Sequence, residues 1–362
     1  MFRAEVIGSM LRPSYLKEAR AAFEAGKLAP HDFKRVEDRA VDQVIAIQEG
    51  TGVDVVSDGE MRRYLFMGPI TETVDGIEPV DEGTPMPWSS PGGELEWASP
   101  FAVTSKLRKR RSLVTEEYSY ARGRARLPLK VTVPSPLVLY GLWNREYSTG
   151  AYPDAFAMFA DAAEVGRSEI HELVALGCEY IQVDAPELAT LVDPRVRGWA
   201  ESLGMPAERM LTEGIDLING MVEGITGVRL GLHLCRGNNA GMWMASGGYD
   251  YIASALFERA KAFDAFCLEY DDARSGSFEP LSQAPDDKQV VLGLVSTKTP
   301  EIETPEQLMV RIDEAARFYP REQLGLSTQC GFASVAEGNP VTEKVEEEKL
   351  RLVADVAHTA WS

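Results

Sequence analysis

The sequence predicts an α/β fold, a closed TIM (β/α)₈ barrel with a long insertion after strand 2. Short apolar runs alternate with longer segments of helical periodicity, which is typical of a parallel sheet built from βα units. Eight such runs are distinguishable, and eight is the number of strands that this barrel requires. Each run ends in polar or turn-forming residues, at the end of the strand where such barrels carry their functional groups.

The runs lie at residues 4–9, 53–58, 129–136, 180–187, 228–235, 265–271, 290–296 and 324–330. Most of the segments between them have the pattern of helices. Residues 156–176 carry apolar side chains at helical spacing, and Gly177 follows where glycine commonly ends a helix. Residues 304–318 open with the pattern T-P-E-Q, a cap followed by proline in the first helical turn. A last helix is expected over residues 343–361.

The connection between the second and third runs is much longer than the others. It is rich in proline, glycine and tryptophan and poor in the aliphatic side chains that a separate core would need. We therefore interpret residues 1–362 as one barrel domain and residues 69–126 as a hairpin or lid inserted within it. The stretch 106–126 is basic, which indicates either a solvent-exposed hairpin or a patch that attracts an anionic substrate.

Charge and hydropathy exclude several classes of protein. The net charge of -19 disfavours nucleic acid as a partner, because phosphate binding needs clustered lysine and arginine. No apolar run approaches the length needed to span a bilayer, and the first residues lack the basic start and apolar segment of a signal peptide. We therefore expect a cytoplasmic protein with no membrane partner, and the inserted hairpin offers a contact for a homo-oligomer.

The 4 cysteines fall into two pairs of different character. Cys178 and Cys267 lie in apolar runs and are expected to be inert core thiols. Cys235 and Cys330 have polar, glycine-rich neighbours at the ends of the fifth and eighth runs, which a role in packing does not explain.

A zinc site is the function that these two cysteines favour. His233 and Cys235 are two residues apart on one strand and therefore point to the same side of it. Glu269 ends the sixth run and Cys330 the eighth, so the barrel brings all four residues to one mouth. Thiolate, imidazole and carboxylate groups are suitable ligands for zinc, and such a site would bind a substrate thiol and lower its pKa.

Two other interpretations remain open at this point. His233 alone would more often be a hydrogen-bonded structural histidine. A structural zinc site is the second alternative, but such sites are usually closed by four cysteine or histidine ligands on short loops.

Seven separated motifs carry a resemblance to a known family: VIGSMLRP, SDGEMRR, VTVPSP, IQVDAPE, HLCRGN, LEYDDARSG and STQCGFAS. With them the chain resembles the catalytic domain of cobalamin-independent methionine synthase and its short, single-domain relatives. The resemblance implies a TIM barrel and a catalytic zinc ion held by His233, Cys235, Glu269 and Cys330. It also implies a homocysteine site, in which the backbone of Ile7, Gly8 and Ser9 holds the carboxylate and Glu60 and Asp184 hold the amino group.

The activity implied is zinc-dependent methyl transfer to homocysteine, which yields methionine. The expected donor is methyl-folate or methylcobalamin, and a small sulfonium or epoxide remains an open alternative. A second reading is an epoxyalkane:coenzyme M transferase, which would need basic groups for a sulfonate. Arg62, Arg63, Arg236 and Arg274 are the candidates for that role. Two acids are unsuited to a sulfonate, so Glu60 and Asp184 favour homocysteine. A zinc- or thiol-binding relative without turnover is the third reading.

Overall fold

The computed structural model describes the whole chain, residues 1–362. Its strands are β1 (Ala4–Glu5), β2 (Val74–Pro79), β3 (Pro85–Ser90), β4 (Gly93–Ala98), β5 (Phe101–Lys109), β6 (Lys130–Pro134), β7 (Tyr180–Asp184), β8 (Arg229–Leu234), β9 (Ala265–Glu269), β10 (Gln289–Val295) and β11 (Leu324–Thr328). Seven of them form one curled sheet in the order β1-β11-β10-β9-β8-β7-β6, and every neighbouring pair is parallel.

The segment around Val56 occupies the gap between β6 and β1, the two edges of this sheet. The N–H of Asp54 donates to Ala4 O at 2.9 Å, and that of Val56 donates to Pro128 O at 3.0 Å. Val56 also forms a parallel bridge with Leu129. The sheet therefore closes on itself, and the predicted TIM barrel is confirmed.

Two predicted strands are shorter than expected. The first is limited to Ala4–Glu5, and the second, predicted over 53–58, is reduced to the isolated bridge at Val56. Side chains interrupt the second ladder on both sides of Val56: Asp54 Oδ2 accepts from the N–H of Ala4 at 3.0 Å, and the N–H of Ser57 donates to Gln48 Oε1 at 2.9 Å. A tight turn follows, where Gly59 has φ +67° and Glu60 has φ +56°. A residue with a side chain rarely adopts such a φ, and at Glu60 it directs the chain away from the wall of the barrel.

The helices are α1 (Ser14–Glu24), α2 (Pro30–Thr51), α3 (Gly68–Thr71), α4 (Leu113–Ala121), α5 (Arg145–Ser148), α6 (Ala155–Ala175), α7 (Pro186–Thr190), α8 (Pro194–Ser202), α9 (Ala207–Arg209), α10 (Ile215–Val222), α11 (Ala253–Arg259), α12 (Pro305–Ala315) and α13 (Glu343–Ala360). The three predicted helices, now α6, α12 and α13, are confirmed. Thr304 caps α12 through a capping box with Gln307. Gly177 adopts φ +85° after α6, as its position predicts. None of the helices combines the length and the apolar composition that crossing a membrane requires.

The insertion after the second barrel segment contains two antiparallel pairs, β2 with β5 and β3 with β4, followed by α4. Ser89 on β3 exchanges both backbone hydrogen bonds with Trp243, at 2.7 and 3.0 Å, so this hairpin is joined to the loop that follows β8. The basic stretch faces outward, where Lys109 pairs with Glu169 and Glu172 of α6, each at 2.6 Å. Of the two interpretations of residues 106–126, a solvent-exposed stretch therefore fits better than a patch that attracts an anionic substrate.

Candidate active site

A cavity of about 680 Å³ opens at the carboxyl ends of the barrel strands. Eight of the nine site residues predicted from the sequence line it, namely Ile7, Gly8, Ser9, Glu60, Asp184, His233, Cys235 and Cys330. They come from distant parts of the chain and meet because a closed parallel barrel brings all its strand ends to one mouth. Glu269, the ninth, does not line the cavity.

Three of these residues form a cluster suited to a metal ion. The ligand atoms of His233, Cys235 and Cys330 all lie within 4.8 Å of one another, and all three side chains are buried. The two sulfur atoms are 3.8 Å apart. Two thiols and an imidazole at this separation fit zinc in both ligand type and number, since catalytic zinc sites use three protein ligands and keep a position for substrate.

The orientation of His233 supports the same assignment. Its Nδ1 lies 2.9 Å from Asp184 Oδ1, and a carboxylate can only accept, so Nδ1 carries the proton of that bond. The other ring nitrogen, Nε2, is buried and has no hydrogen-bond partner. A histidine that donates one N–H to a carboxylate presents its second nitrogen to a metal in this way.

The charges within the cluster also favour binding of a cation. Hydrogen bonding with Cys235 and the nearby imidazole of His233 hold the pKa of the Cys330 thiol well below its usual range despite burial. Burial lowers the pKa of His233, but Asp184 and Cys330 raise it to about 10. Negative charge in the cluster therefore draws a proton onto the imidazole, and a bound metal ion would supply that positive charge instead.

Glu269 stands next to the cluster without joining it. Its Oε2 accepts from the N–H of Arg236 at 2.6 Å, and its Oε1 lies 3.4 Å from Lys298 Nζ. Burial would raise the pKa of Glu269, but Lys298, Arg236 and Arg274 together lower it to about 2. The carboxylate is therefore ionised and engaged by cationic and backbone partners. Its contact with Lys298 was not predicted from the sequence.

Glu60 and Asp184 both line the cavity, although they come from two separate motifs, SDGEMRR and IQVDAPE. Glu60 Oε1 accepts from the Thr132 hydroxyl at 2.8 Å, whereas its Oε2 is buried without a partner. Asp184 uses Oδ1 for both His233 and Gln182, which leaves its second oxygen for a ligand. Burial raises the pKa of Glu60 to about 7, although Arg63, whose Nη1 lies 3.6 Å from Oε1, lowers it in part.

The turn at Ile7, Gly8 and Ser9 packs tightly against both halves of the site. A Cβ on Gly8 would lie 2.7 Å from Glu60 Oε1, so only glycine fits beside that carboxylate. A Cβ on Gly331 would lie 2.9 Å from both N and O of Ser9. No hydrogen bond within the chain uses the N–H of Gly8 or Ser9, so these two donors are available to a ligand.

A buried ion pair between Arg63 and Glu117 positions Glu60 through Thr132, and it was not predicted from the sequence. Arg63 donates to Glu117 from Nε at 2.9 Å and from Nη2 at 2.7 Å, and from Nη1 to Thr132 Oγ1 at 3.0 Å. Thr132 in turn holds Glu60. The position of Arg63 in the motif SDGEMRR was a signal, but its partner Glu117 lies on α4, in the insertion, and nothing local to it indicated this contact.

Comparison with known proteins places the chain among methionine synthase relatives. Residues 2–358 match the family described as cobalamin-independent synthase, catalytic domain. The uncharacterized protein YxjH of Bacillus subtilis is 35% identical over 99% of this chain and 95% of its own length. A methionine synthase of Saccharolobus solfataricus is 25% identical over 90% of this chain and 87% of its own length.

The fold has a counterpart among solved structures. A B12-independent methionine synthase from Shewanella sp. W3-18-1, solved in complex with selenomethionine, superposes with a TM-score of 0.75. The alignment covers 99% of this chain and 97% of that one, at 18% sequence identity. At this identity the likeness shows the shared fold.

Proposed function

The chain belongs to the cobalamin-independent methionine synthase catalytic-domain family, and on that basis we propose that it is a zinc-dependent S-methyltransferase that converts homocysteine to methionine. The observation that carries the proposal is the presence of two different recognition elements in one cavity. A thiol-binding cluster of His233, Cys235 and Cys330 lies on one side, and the carboxylates of Glu60 and Asp184 lie beside it. A thiol and an ammonium group on one small molecule would satisfy both.

The metal-binding part of the proposal rests on the donor set. His233, Cys235 and Cys330 would hold the zinc ion, which when bound lowers the pKa of a substrate thiol so that it is a thiolate at neutral pH. Asp184 keeps the imidazole in the tautomer that presents Nε2. Glu269 is proposed as the further ligand, and joining the other three would require it to exchange its contacts with Arg236 N and Lys298.

The remaining residues would hold the amino acid end of homocysteine. Glu60 Oε2 and the second oxygen of Asp184 suit its ammonium group, and the N–H groups of Gly8 and Ser9 suit its carboxylate. Holding both charged groups fixes where the sulfur lies relative to an incoming methyl group, which raises the effective concentration of the nucleophile. The insertion, proposed as a lid, would exclude water from the reacting atoms.

The cavity argues against a sulfonate thiol such as coenzyme M. None of the four arginines that a sulfonate would need lines it. Arg63 is committed to Glu117, Arg62 pairs with Asp38 at 2.5 Å, and Arg236 donates to Glu269 O at 2.9 Å. Two acids without a free cation would repel a sulfonate and attract an ammonium group.

Thiol binding tests the proposed function directly. Zinc-loaded protein is titrated with homocysteine and with coenzyme M by calorimetry, and with each again after removal of zinc. We expect zinc-dependent binding of homocysteine, at least about tenfold tighter than that of coenzyme M. Methionine formation is then followed by mass spectrometry with a panel of methyl donors. Equal affinity for both thiols, or homocysteine binding that is unchanged without zinc, would contradict the proposal, and tight binding without turnover by any donor would indicate a binding protein.

Substitution of Gly8 by alanine is expected to weaken recognition of the amino group. The new methyl group would lie 2.7 Å from Glu60 Oε1 and 3.1 Å from Thr132 Cγ2, so the carboxylate must move. We expect the KM for homocysteine to rise by about tenfold to a hundredfold with unchanged zinc content, as measured by steady-state kinetics and metal analysis. Gly50→Ala is the matched control, because a Cβ there meets nothing within 4 Å. An unchanged KM in folded Gly8→Ala would argue against the role of Glu60.

A further inference from the structure

Aromatic rings form much of the wall of the cavity. Six of them line it: Tyr64, Phe66, Trp88, Trp97, Phe101 and Tyr140. Tyr64, Trp97 and Phe101 are 44%, 38% and 43% exposed, which is unusual for large apolar side chains in this protein. Trp88 is buried, and its indole N–H has no acceptor. Exposed rings gathered at one cavity indicate a surface built to contact a ligand.

These rings have no cationic partner within the protein. Elsewhere in the molecule arginine and lysine side chains lie over aromatic rings at many sites, for example Arg274 over Trp243 at 4.5 Å and Lys106 over Tyr152 at 3.9 Å. None of the six cavity rings takes part in such a contact. No cation of the protein therefore occupies these rings, and the exposed rings of Tyr64, Trp97 and Phe101 can receive one from outside.

The charges around the cavity have one predominant sign. Its lining carries the carboxylates of Glu24, Glu60, Glu72 and Asp184, no lysine, and one arginine, Arg20. Arg20 directs its guanidinium to Glu37, 3.5 Å away, and to the carbonyl oxygen of Arg62 at 3.2 Å. The ammonium group of homocysteine would pair with Glu60 and Asp184. Glu24 and Glu72 then remain at the mouth beside the rings, and the only hydrogen bond to either carboxylate is from the N–H of Tyr64 to Glu72 at 2.9 Å.

We propose that the methyl donor of this enzyme is a methylated onium cation, either a methylsulfonium or a methylated quaternary ammonium compound, held between the aromatic wall and Glu72. The inference rests on the proposed function and names its second substrate. The face of an aromatic ring attracts a cation, and cages of such rings are a common means of binding quaternary ammonium groups. Carboxylates at the mouth attract a cation and repel a donor that carries several carboxylates, such as a polyglutamyl folate.

The transfer balances without a further reactant. The homocysteine thiol has released its proton to solvent, and a lone pair of its sulfur forms the new S–CH₃ bond. The donor's bond from the methyl carbon to sulfur or nitrogen breaks, and its electron pair stays on the leaving atom. The donor thus becomes a neutral thioether or tertiary amine. Because the cation–π attraction disappears with the charge, the by-product is held less tightly than the donor and can leave.

The first arm of the test compares donors on the zinc-loaded enzyme with homocysteine. S-methylmethionine represents the sulfonium class and glycine betaine the quaternary ammonium class, and 5-methyltetrahydrofolate with one or three glutamates and methylcobalamin represent the other classes. We expect methionine from at least one onium donor, with kcat/KM at least about tenfold above that of either folate. The donor that reacts shows whether the methyl group comes from a sulfonium or from a quaternary ammonium compound.

The second arm measures binding and does not depend on turnover. Choline and its uncharged isostere 3,3-dimethyl-1-butanol are titrated into protein saturated with homocysteine, with tryptophan fluorescence as the signal. We expect choline to bind about tenfold more tightly than the isostere, and this preference to be lost in Trp97→Leu and reduced in Glu72→Gln. Trp361→Leu and Glu348→Gln, which make the same changes outside the cavity, are expected to leave it unchanged.

The outcomes separate the two proposals. Methionine formed from a folate or from methylcobalamin but from neither onium donor would overturn the cation proposal and leave the methyltransferase standing. Equal binding of choline and the isostere would also overturn it. Failure to bind homocysteine at all would defeat the proposed function, and the contrast between choline and its isostere, measured then on the protein alone, would still decide whether the wall is a cation site.

Discussion

Replacement of Cys330 by serine is expected to remove zinc binding and methyl transfer together. A serine hydroxyl is a poor zinc ligand at neutral pH, whereas the pKa of the Cys330 thiol is held well below its usual range by hydrogen bonding with Cys235 and by the nearby imidazole of His233. Of the clustered ligands only His233 and Cys235 would remain, and the proposed further ligand, Glu269, is engaged by Arg236 N and Lys298. We expect zinc content near zero and kcat lower by more than about a thousandfold, measured by metal analysis and by methionine formation.

Cys178→Ser is the matched control for this substitution. Cys178 is also buried, and its thiol donates to Tyr180 O at 3.4 Å, a bond that a serine hydroxyl can replace. It lies outside the cavity, and we expect this variant to keep its zinc and its activity. If Cys330→Ser lost its zinc but remained active, or if metal-free wild-type protein turned over, the zinc mechanism would be wrong.

The sequence was sufficient for the barrel and most of the site because strand ends in a closed parallel barrel converge whatever their separation along the chain. His233 and Cys235 are two residues apart on one strand, and Cys330 is nearly a hundred residues later, yet the sulfur atoms are 3.8 Å apart. Convergence follows from topology alone, so a correct count of strands was enough. Side-chain periodicity then placed His233 and Cys235 on the same face.

Orientation and long-range pairing could not be predicted in this way. Glu269 ends its strand as expected, but the direction of its carboxylate depends on Lys298 and on the backbone N–H of Arg236, each on another loop. The second barrel strand was predicted too long because the side chains of Asp54 and Gln48 bond to backbone N–H groups that a regular ladder would use, and a local apolar pattern does not show such bonds. Such features depend on contacts between elements, for which local patterns carry no signal.

The insertion affects the site in a second way besides covering it. Glu117 on α4 holds Arg63, Arg63 holds Thr132, and Thr132 donates to Glu60. The position of the proposed ammonium-binding carboxylate therefore depends on a residue of the inserted segment. Loss of this support would affect both the stability of the fold and the recognition of substrate.

Arg63→Met is expected to lower the free energy of unfolding by about 3–5 kcal/mol. Arg63 and Glu117 are 1% and 2% exposed, so the substitution leaves the carboxylate of Glu117 buried without a counter-charge. Thr132 also loses the donor that orients it towards Glu60, so the KM for homocysteine should rise. Chemical denaturation and steady-state kinetics measure the two effects. Arg111→Met removes a pair with Glu116 that is about half exposed, and its expected cost is below about 1 kcal/mol.

The pH dependence of stability and a double variant test whether the buried charge of Glu117 causes the loss of stability in Arg63→Met. Burial raises the pKa of Glu117, and Arg63 is the strongest influence opposing it. In Arg63→Met the folded chain therefore keeps a proton on Glu117 to a higher pH than the unfolded chain, in which glutamate titrates near ~4.3. The pKa of Glu117 is about 8 with Arg63 in place and higher without it, so stability relative to wild type falls as the pH rises through and above about 8, and the deficit is smallest in acid. Adding Glu117→Met removes the unpaired carboxylate, so we expect the double variant to recover at least about 2 kcal/mol and to lose this pH dependence. A deficit that is independent of pH and unchanged in the double variant would mean that lost packing, rather than the buried charge, destabilises the protein.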